Sequence, residues 1–418
     1  MRPYLREGPL TRVVDAEAVI ARLRETDARS GGAREAWGAT WLAERGRLDA
    51  LARSISDSVT VETDPFANTW YVLPGADAET VLVGSHSDCV PQGGWLDGIL
   101  GIHAGLGVLA AIAGGSRPPR TLAVVDWADE EGTRFGRSLL GSSAATGALT
   151  ASELRGLADA DGSSAPDVVS RFGFDTGALA GAERADPAFG FRSPRLAEVV
   201  AACELHIEQG PTLQRSGRSV AAVSGCLGVR RQQITFTGEA GHAGATPMAD
   251  RRDPVRDAAR WLASLSDAAQ AAGGLATVGR IEADPAIATA VARRCRLSLD
   301  LRHADLDQLR ALEARAMELL GESRCEVDLG SQYRQDPVAF DPALVKVAAS
   351  VCGGGDPVRS GPLHDSAALA QAGIPTVMLF CASLGGISHS RAEDTSEPDL
   401  IAGVQALHRL VARLLETP

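Results

Sequence analysis

Three short apolar runs, far apart along the chain, each lead directly into residues able to bind a metal or move a proton. "TVLVGSHSD" (80–88) ends on His86 and Asp88. "RTLAVVDWADE" (120–130) ends on Asp129 and Glu130 with Glu131 next, and "LAEVVAACELHIEQG" (196–210) ends around His206 and Glu208. Runs this short and this apolar suit strands covered on both faces. Helical spacing precedes them in "EAVIARLRE" and "WGATWLAERGRLDALARSI", and separates the first two in "GILGIHAGLGVLAAIAGG" (98–115). Strands alternating with helices predict an α/β fold built on a mainly parallel sheet. In such sheets chemistry collects beyond the carboxyl ends of the strands, so the pattern predicts that these side chains converge.

The stretch 217–329 has a different rhythm. It reads as strand "RRQQITFTG", helix "DPVRDAARWLASLSDAAQ", strands "LATVGRIEA" and "RCRLSLDLRH", a helix from Leu306 to Leu320, and strand "RCEVDLG". The order βαββαβ is that of a ferredoxin-like unit. The expected organisation is therefore a catalytic domain of residues 1–216 and 330–418 with an inserted domain of 217–329, as 418 residues exceed one ordinary core.

Composition narrows the classes of function. A formal charge of −12 argues against a nucleic-acid binder, which needs a basic surface. The six glycines and the histidine of 98–115 favour a buried helix over a membrane span, with His103 expected to pack against the sheet. The start "MRPYLREGPLTR" lacks the apolar core of a secretory signal, and the seven cysteines show no C-x-x-C, so a reducing cytoplasm is the expected compartment.

Histidines and carboxylates at strand ends suit a divalent cation with mixed N/O ligands, zinc first, then manganese, cobalt or nickel. The candidates are too many for one three-ligand site and suit two ions sharing a carboxylate. Asp97, in "PQGGWLDGILG" just before a helix, is the candidate bridge; a plain helix cap is the alternative. Of the glutamate pair, one could ligate while its neighbour takes a proton from water; an adjacent acidic pair can equally be a solvated surface feature.

Six segments in order, "GSHSDCVPQGGWLDGILG", "DEEGTRFG", "ELHIEQGP", "TFTGEAGHAGATPM", "LSLDLRH" and "GGISH", resemble the hydantoinase/carbamoylase branch of the M20 metallopeptidase-like amidohydrolases. That branch contains N-carbamoyl-L-amino acid hydrolases, allantoate amidohydrolases and β-ureidopropionases. The resemblance implies two divalent ions, one on His86, Asp97 and His206, the other on Asp97, Glu131 and His389. It implies Glu130 as general base and Asp88 as the residue orienting His86. His206 itself points to this branch, because ordinary M20 peptidases usually carry an acid there. Gln209, His242, Thr289, Arg302 and His364 would face or support a small carboxylate-bearing substrate. His242 would stabilise the oxyanion and reach the partner's site, so a homodimer is implied, with the inserted domain as lid.

Departures fall on the substrate side. "TAVAR" (289–293) stands where the branch reads "NVIPG"-like, and Gly241 replaces the asparagine before His242. The expected activity is metal-dependent cleavage of an N-carbamoyl or related linear amide. The alternatives are an acylase or dipeptidase on the same scaffold, and a non-catalytic metal or ligand binder.

Overall fold

A computed structural model describes residues 12–172 and 191–416. The chain divides into two compact units. One comprises residues up to Gly225, Ala339–Ser360 and His364 onward; the other comprises Cys226–Val338 with Gly361–Leu363.

In the first unit, the apolar runs are the centre of a mixed sheet. Arg120–Trp127, Asp77–His86, Val199–Ile207 and Thr376–Cys381 lie side by side and parallel. Antiparallel strands flank them: Thr69–Leu73 beside Arg120–Trp127, and Val220–Cys226 beside Thr376–Cys381. The boundaries expected at 217 and 329 therefore move. Val220–Cys226 is a strand of the larger sheet, and the last strand of the smaller unit, Glu326–Gln335, runs beyond 329.

The stretch 98–115 forms a helix, Ile99–Ala113, buried along almost its whole length. It packs on the parallel strands with one side and on Ala16–Ser30 and the terminal helix Glu397–Glu416 with the other, which is why it is apolar all round. Among the described residues no helix is long and apolar enough to cross a membrane.

His103, expected to pack against the sheet, turns away from it toward Thr26. Its Nε2 lies 3.2 Å from Thr26 Oγ1, and Thr26 donates to Glu44 Oε1 at 2.7 Å, so the ring faces the outer helices. Thr26 gives the polar ring a hydroxyl partner on that side.

In the second unit, Glu326–Gln335, Gly228–Thr237, Arg294–His303 and Leu275–Asp284 form, in that spatial order, an antiparallel sheet. Period-two alternation sorts its faces. Cys295, Leu297, Leu299 and Leu301 are buried with Trp261, Leu265, Leu309 and Leu312 of the two helices. Ser298, Asp300 and Arg302 line the opposite face. Asp253 and Asp305 cap helices Pro254–Ala271 and Leu306–Leu320 through their side chains, each satisfying amides that no helical carbonyl can reach.

His103 makes a pH prediction. Burial, then Arg22, holds its pKa at about 3, below the ordinary 6.5. The neutral ring therefore stabilises the fold fully above about pH 6.5, and that stability is lost as pH falls toward 3, by at most about 1.4 kcal/mol per pH unit. Urea midpoints between pH 7.5 and 5.0, measured with chelator present, should fall less steeply in His103→Leu than in wild type. Equal slopes would contradict this.

Candidate metal centre

The parallel strands place their terminal residues at one edge. His86 is the last residue of its strand and His206 the penultimate residue of its own, both 1% exposed. Glu130 and Glu131 follow Trp127 through a tight turn in which Asp129 takes a positive φ of 58°. Trp37 Nε1 holds that turn by donating to Asp129 Oδ2 at 2.7 Å. Asp97 comes from the loop ahead of the buried helix. Ile99 N donates to Asp97 O at 2.7 Å across Gly98, whose φ of 66° and ψ of −53° make a γ-turn that side chains disfavour. Gly98 is also required by space. A Cβ there would lie 2.3 Å from His86 Cε1 and 2.4 Å from both ring nitrogens.

These elements bring together two ligand sets. One atom each from His86, Asp97 and His206 lies within 4.8 Å of the others, and the same holds for Asp97, Glu131 and His389. Asp97 belongs to both, one oxygen to each side: Oδ1 is 3.1 Å from His206 Nε2, and Oδ2 is 3.3 Å from His389 Nε2. Glu131 Oε2 is 3.5 Å from His389 Nε2. Glu130 belongs to neither set; its Oε2 is 3.8 Å from His86 Nε2. A third set, Glu204, His206 and His364, has the same spread. There, however, Glu204 already accepts from Ser85 Oγ at 3.2 Å and Ser366 Oγ at 2.6 Å.

The donor chemistry fits divalent cations. Asp88, Asp97, Asp129, Glu130 and Asp365 are all buried, and among the described residues the only cationic partners of Asp97, Glu130 and Glu131 are histidines. Without a cation, protons must do the compensating. Burial and then Asp97 push Glu131 up to about 7, and burial raises Glu130 well above the usual carboxylate range. The hydrogen bond to Asp97 raises His389 to about 9, although burial opposes it. Divalent ions would replace these protons, since metal binding to such ligands releases them.

Several expected residues lie elsewhere or act differently. The Asp88 carboxylate is 3.6 Å from His86 Nδ1, whereas its backbone oxygen is 3.1 Å away. Its carboxylate accepts instead from Glu130 N at 3.3 Å and Glu131 N at 3.2 Å. Asp88 thus holds the glutamate turn with its carboxylate while facing His86 Nδ1 with both its main-chain oxygen and that carboxylate. Glu208 leaves the centre altogether, capping the short helix Thr212–Ser216 through Thr212 N and Leu213 N, both at 2.8 Å. His364 is not open to a substrate: it is 2% exposed, its ring centroid is 4.4 Å from that of His206, and its Nε2 is 3.0 Å from Ser360 Oγ. Gln209 does face the centre, with Nε2 donating to Asp97 Oδ2 at 3.0 Å.

His242, Thr289 and Arg302 belong to the smaller unit. His242 is exposed and pairs with Ala290 in a two-stranded ladder beside Thr289, whose carbonyl accepts from Ala243 N at 2.9 Å. Arg302 lines a groove of about 760 Å³ on the open sheet face. Asp300 grips its guanidinium at 2.8 and 3.3 Å, a partnership that leaves no mark in the sequence. Also missed were Trp37, Ser388 and Glu393, whose hydrogen bonds leave no spacing signature.

The chain belongs to peptidase family M20/M25/M40, which matches residues 82–413. It is 34% identical over 350 residues to the N-carbamoyl-L-amino acid amidohydrolase of Geobacillus stearothermophilus, covering 81% of this chain and 83% of that one. It is 32% identical over 375 residues to the allantoate amidohydrolase of Escherichia coli K12, covering 87% and 88%. Among solved structures, a hydantoinase/carbamoylase family amidase from Burkholderia multivorans superposes with a TM-score of 0.85 at 30% identity, over 97% of this chain and 99% of that one.

Gly98→Ala tests the construction of the centre. The strained turn alone costs about 1–3 kcal/mol with a Cβ, and the methyl also displaces the His86 ring. The variant should melt below wild type and lose most of the melting-temperature increase that zinc gives the metal-free protein. Unchanged calorimetric melts with and without zinc would contradict the assignment.

Proposed function

We propose that this protein is a two-metal amidohydrolase that cleaves the C–N bond of an N-carbamoyl or related linear amide on a small carboxylate-bearing molecule. The observation that carries the reading is the pair of ligand sets sharing Asp97 with an uncoordinated Glu130 beside them. His86, Asp97 and His206 would hold one ion, and Asp97, Glu131 and His389 the other. Bound there, divalent ions supply Lewis-acid polarisation of the carbonyl and acidify water; zinc suits this donor set best, and manganese, cobalt and nickel are compatible.

The rest of the chemistry belongs to side chains. Burial gives Glu130 a raised proton affinity, which suits a group that takes a proton from the attacking water and returns it to the leaving nitrogen. Asp88 fixes the amides of both glutamates and so holds the base beside the ligand. Arg302 offers a planar guanidinium to a substrate carboxylate, oriented by Asp300. His242 donates to the developing oxyanion. The smaller unit acts as a lid and dimerisation domain, with His242 serving the partner's site. The names of the related amidohydrolases support the carbamoyl or allantoate class. Thr289, where the branch carries asparagine, narrows or shifts which amide is accepted, because a hydroxyl offers fewer donors.

The test is a screen of N-carbamoyl amino acids, allantoate, N-acetyl amino acids and dipeptides with protein reloaded with each metal. Turnover is expected on a ureido acid or allantoate. Glu130→Gln should lower kcat by about 10²–10⁴-fold while binding as much metal as wild type. Turnover confined to N-acetyl or peptide substrates would favour an acylase or dipeptidase. Inactivity on every amide would favour a binder.

A further inference from the structure

The two ligand sets are anchored unequally. His86 and His206 stand on central strands and are buried, whereas His389 sits on a loop at a positive φ of 53°, with its side chain 52% exposed. A ligand so placed needs something to hold its loop against Asp97. The loop supplies that itself, four residues on. Glu393 is 2% exposed. Its Oε1 accepts from the backbone amides of Leu96 at 3.0 Å and Asp97 at 3.1 Å. Its Oε2 accepts from Ser388 Oγ at 2.8 Å.

One carboxylate therefore ties the backbone of the shared ligand to the residue immediately before His389. Room for it depends on Gly94, where a Cβ would lie 2.0 Å from Glu393 Oε1. Gln209 closes the circuit, with Nε2 reaching Asp97 Oδ2 at 3.0 Å and Ser388 Oγ at 3.1 Å. Trp95 and Asp394 join the same two loops through a 3.2 Å hydrogen bond.

We propose that Glu393 is a positioning residue that holds the His389 loop on the Asp97 loop and so sets the affinity of the second ion, on Asp97, Glu131 and His389, far more than that of the first. This rests on the two-ion reading above. The asymmetry follows from the anchors: His86 and His206 keep their strand positions if Glu393 is removed, whereas His389 loses its tether. Partners of metal ligands typically control affinity by about 10–100-fold.

The experiment is a titration of the metal-free full-length protein with Zn²⁺, and separately with Co²⁺ followed by its visible spectrum. Stoichiometry is checked by elemental analysis. His389→Ala identifies which binding step belongs to the second site. Glu393→Ala is expected to weaken that step at least about tenfold and to change the other step much less. Ser388→Ala cuts the Glu393 link on the loop side, together with the Gln209 bond and the 3.4 Å approach to Asp97 Oδ2, and should weaken the same step; it serves if Glu393→Ala does not fold. Glu393→Gln still offers an oxygen to the Leu96 and Asp97 amides and should stay near wild type.

Weakening of both steps alike, or of neither, in Glu393→Ala and Ser388→Ala overturns the proposal. A glutamine variant as poor as the alanine variant overturns the hydrogen-bond basis. Two tight ions in wild type and in every variant refute Glu393 alone. A wild type that takes one ion or none refutes the two-ion reading and this proposal together.

Discussion

Negative charge out of water, at one edge of a sheet, is the constraint around which the larger unit is organised. A buried carboxylate costs several kcal/mol unless something positive or proton-donating faces it. Here Asp88, Asp97, Asp129, Glu130 and Glu131 crowd together, and they are answered in more than one way. Backbone amides satisfy Asp88, and an indole donates to one oxygen of Asp129. The two glutamates face imidazoles, and Asp97 faces imidazoles and the Gln209 amide. Asp97 is central because its two oxygens face opposite ways, one to His206 and one to His389. A sheet edge supplies that arrangement cheaply, as each strand delivers its last side chain to the same rim without extra backbone.

The strained positions support this account. Asp129, Gln209 and His389 have positive φ without being glycine, and all three stand at the ends of segments that enter the centre. Such conformations persist only where surrounding contacts over-determine them. Trp37 fixes Asp129, and Ser383 Oγ accepts from Gln209 N at 3.0 Å. The loop carrying His389 is tethered by Glu393, and by Arg391, which donates to Asp27 and to Gly93 O.

Much of this was legible in the sequence because apolar runs and their terminal residues are local signals. Three of the four parallel strands, the buried helix Ile99–Ala113 and the strand Arg294–His303 all follow from residue spacing. What spacing cannot convey is which atom of a residue points where. Glu208 and Asp88 both looked like contributors of carboxylates to the centre, yet one caps a helix and the other holds two amides. His103 looked like a sheet-facing residue because the helix as a whole covers the sheet, but a helix has two sides. Val220–Cys226 lies next in sequence to the inserted unit and pairs with a strand more than 150 residues later; strand pairing over that separation has no local mark. Glu393 left no trace because an acid that accepts from main-chain amides looks like any other acid.

Anomalous diffraction from crystals of the zinc-loaded protein tests the central claim most directly. The account predicts two peaks per chain, about 3.5–4 Å apart, with the Asp97 carboxylate between them and Glu130 bound to neither. A single peak, or a pair that Asp97 does not bridge, would contradict it.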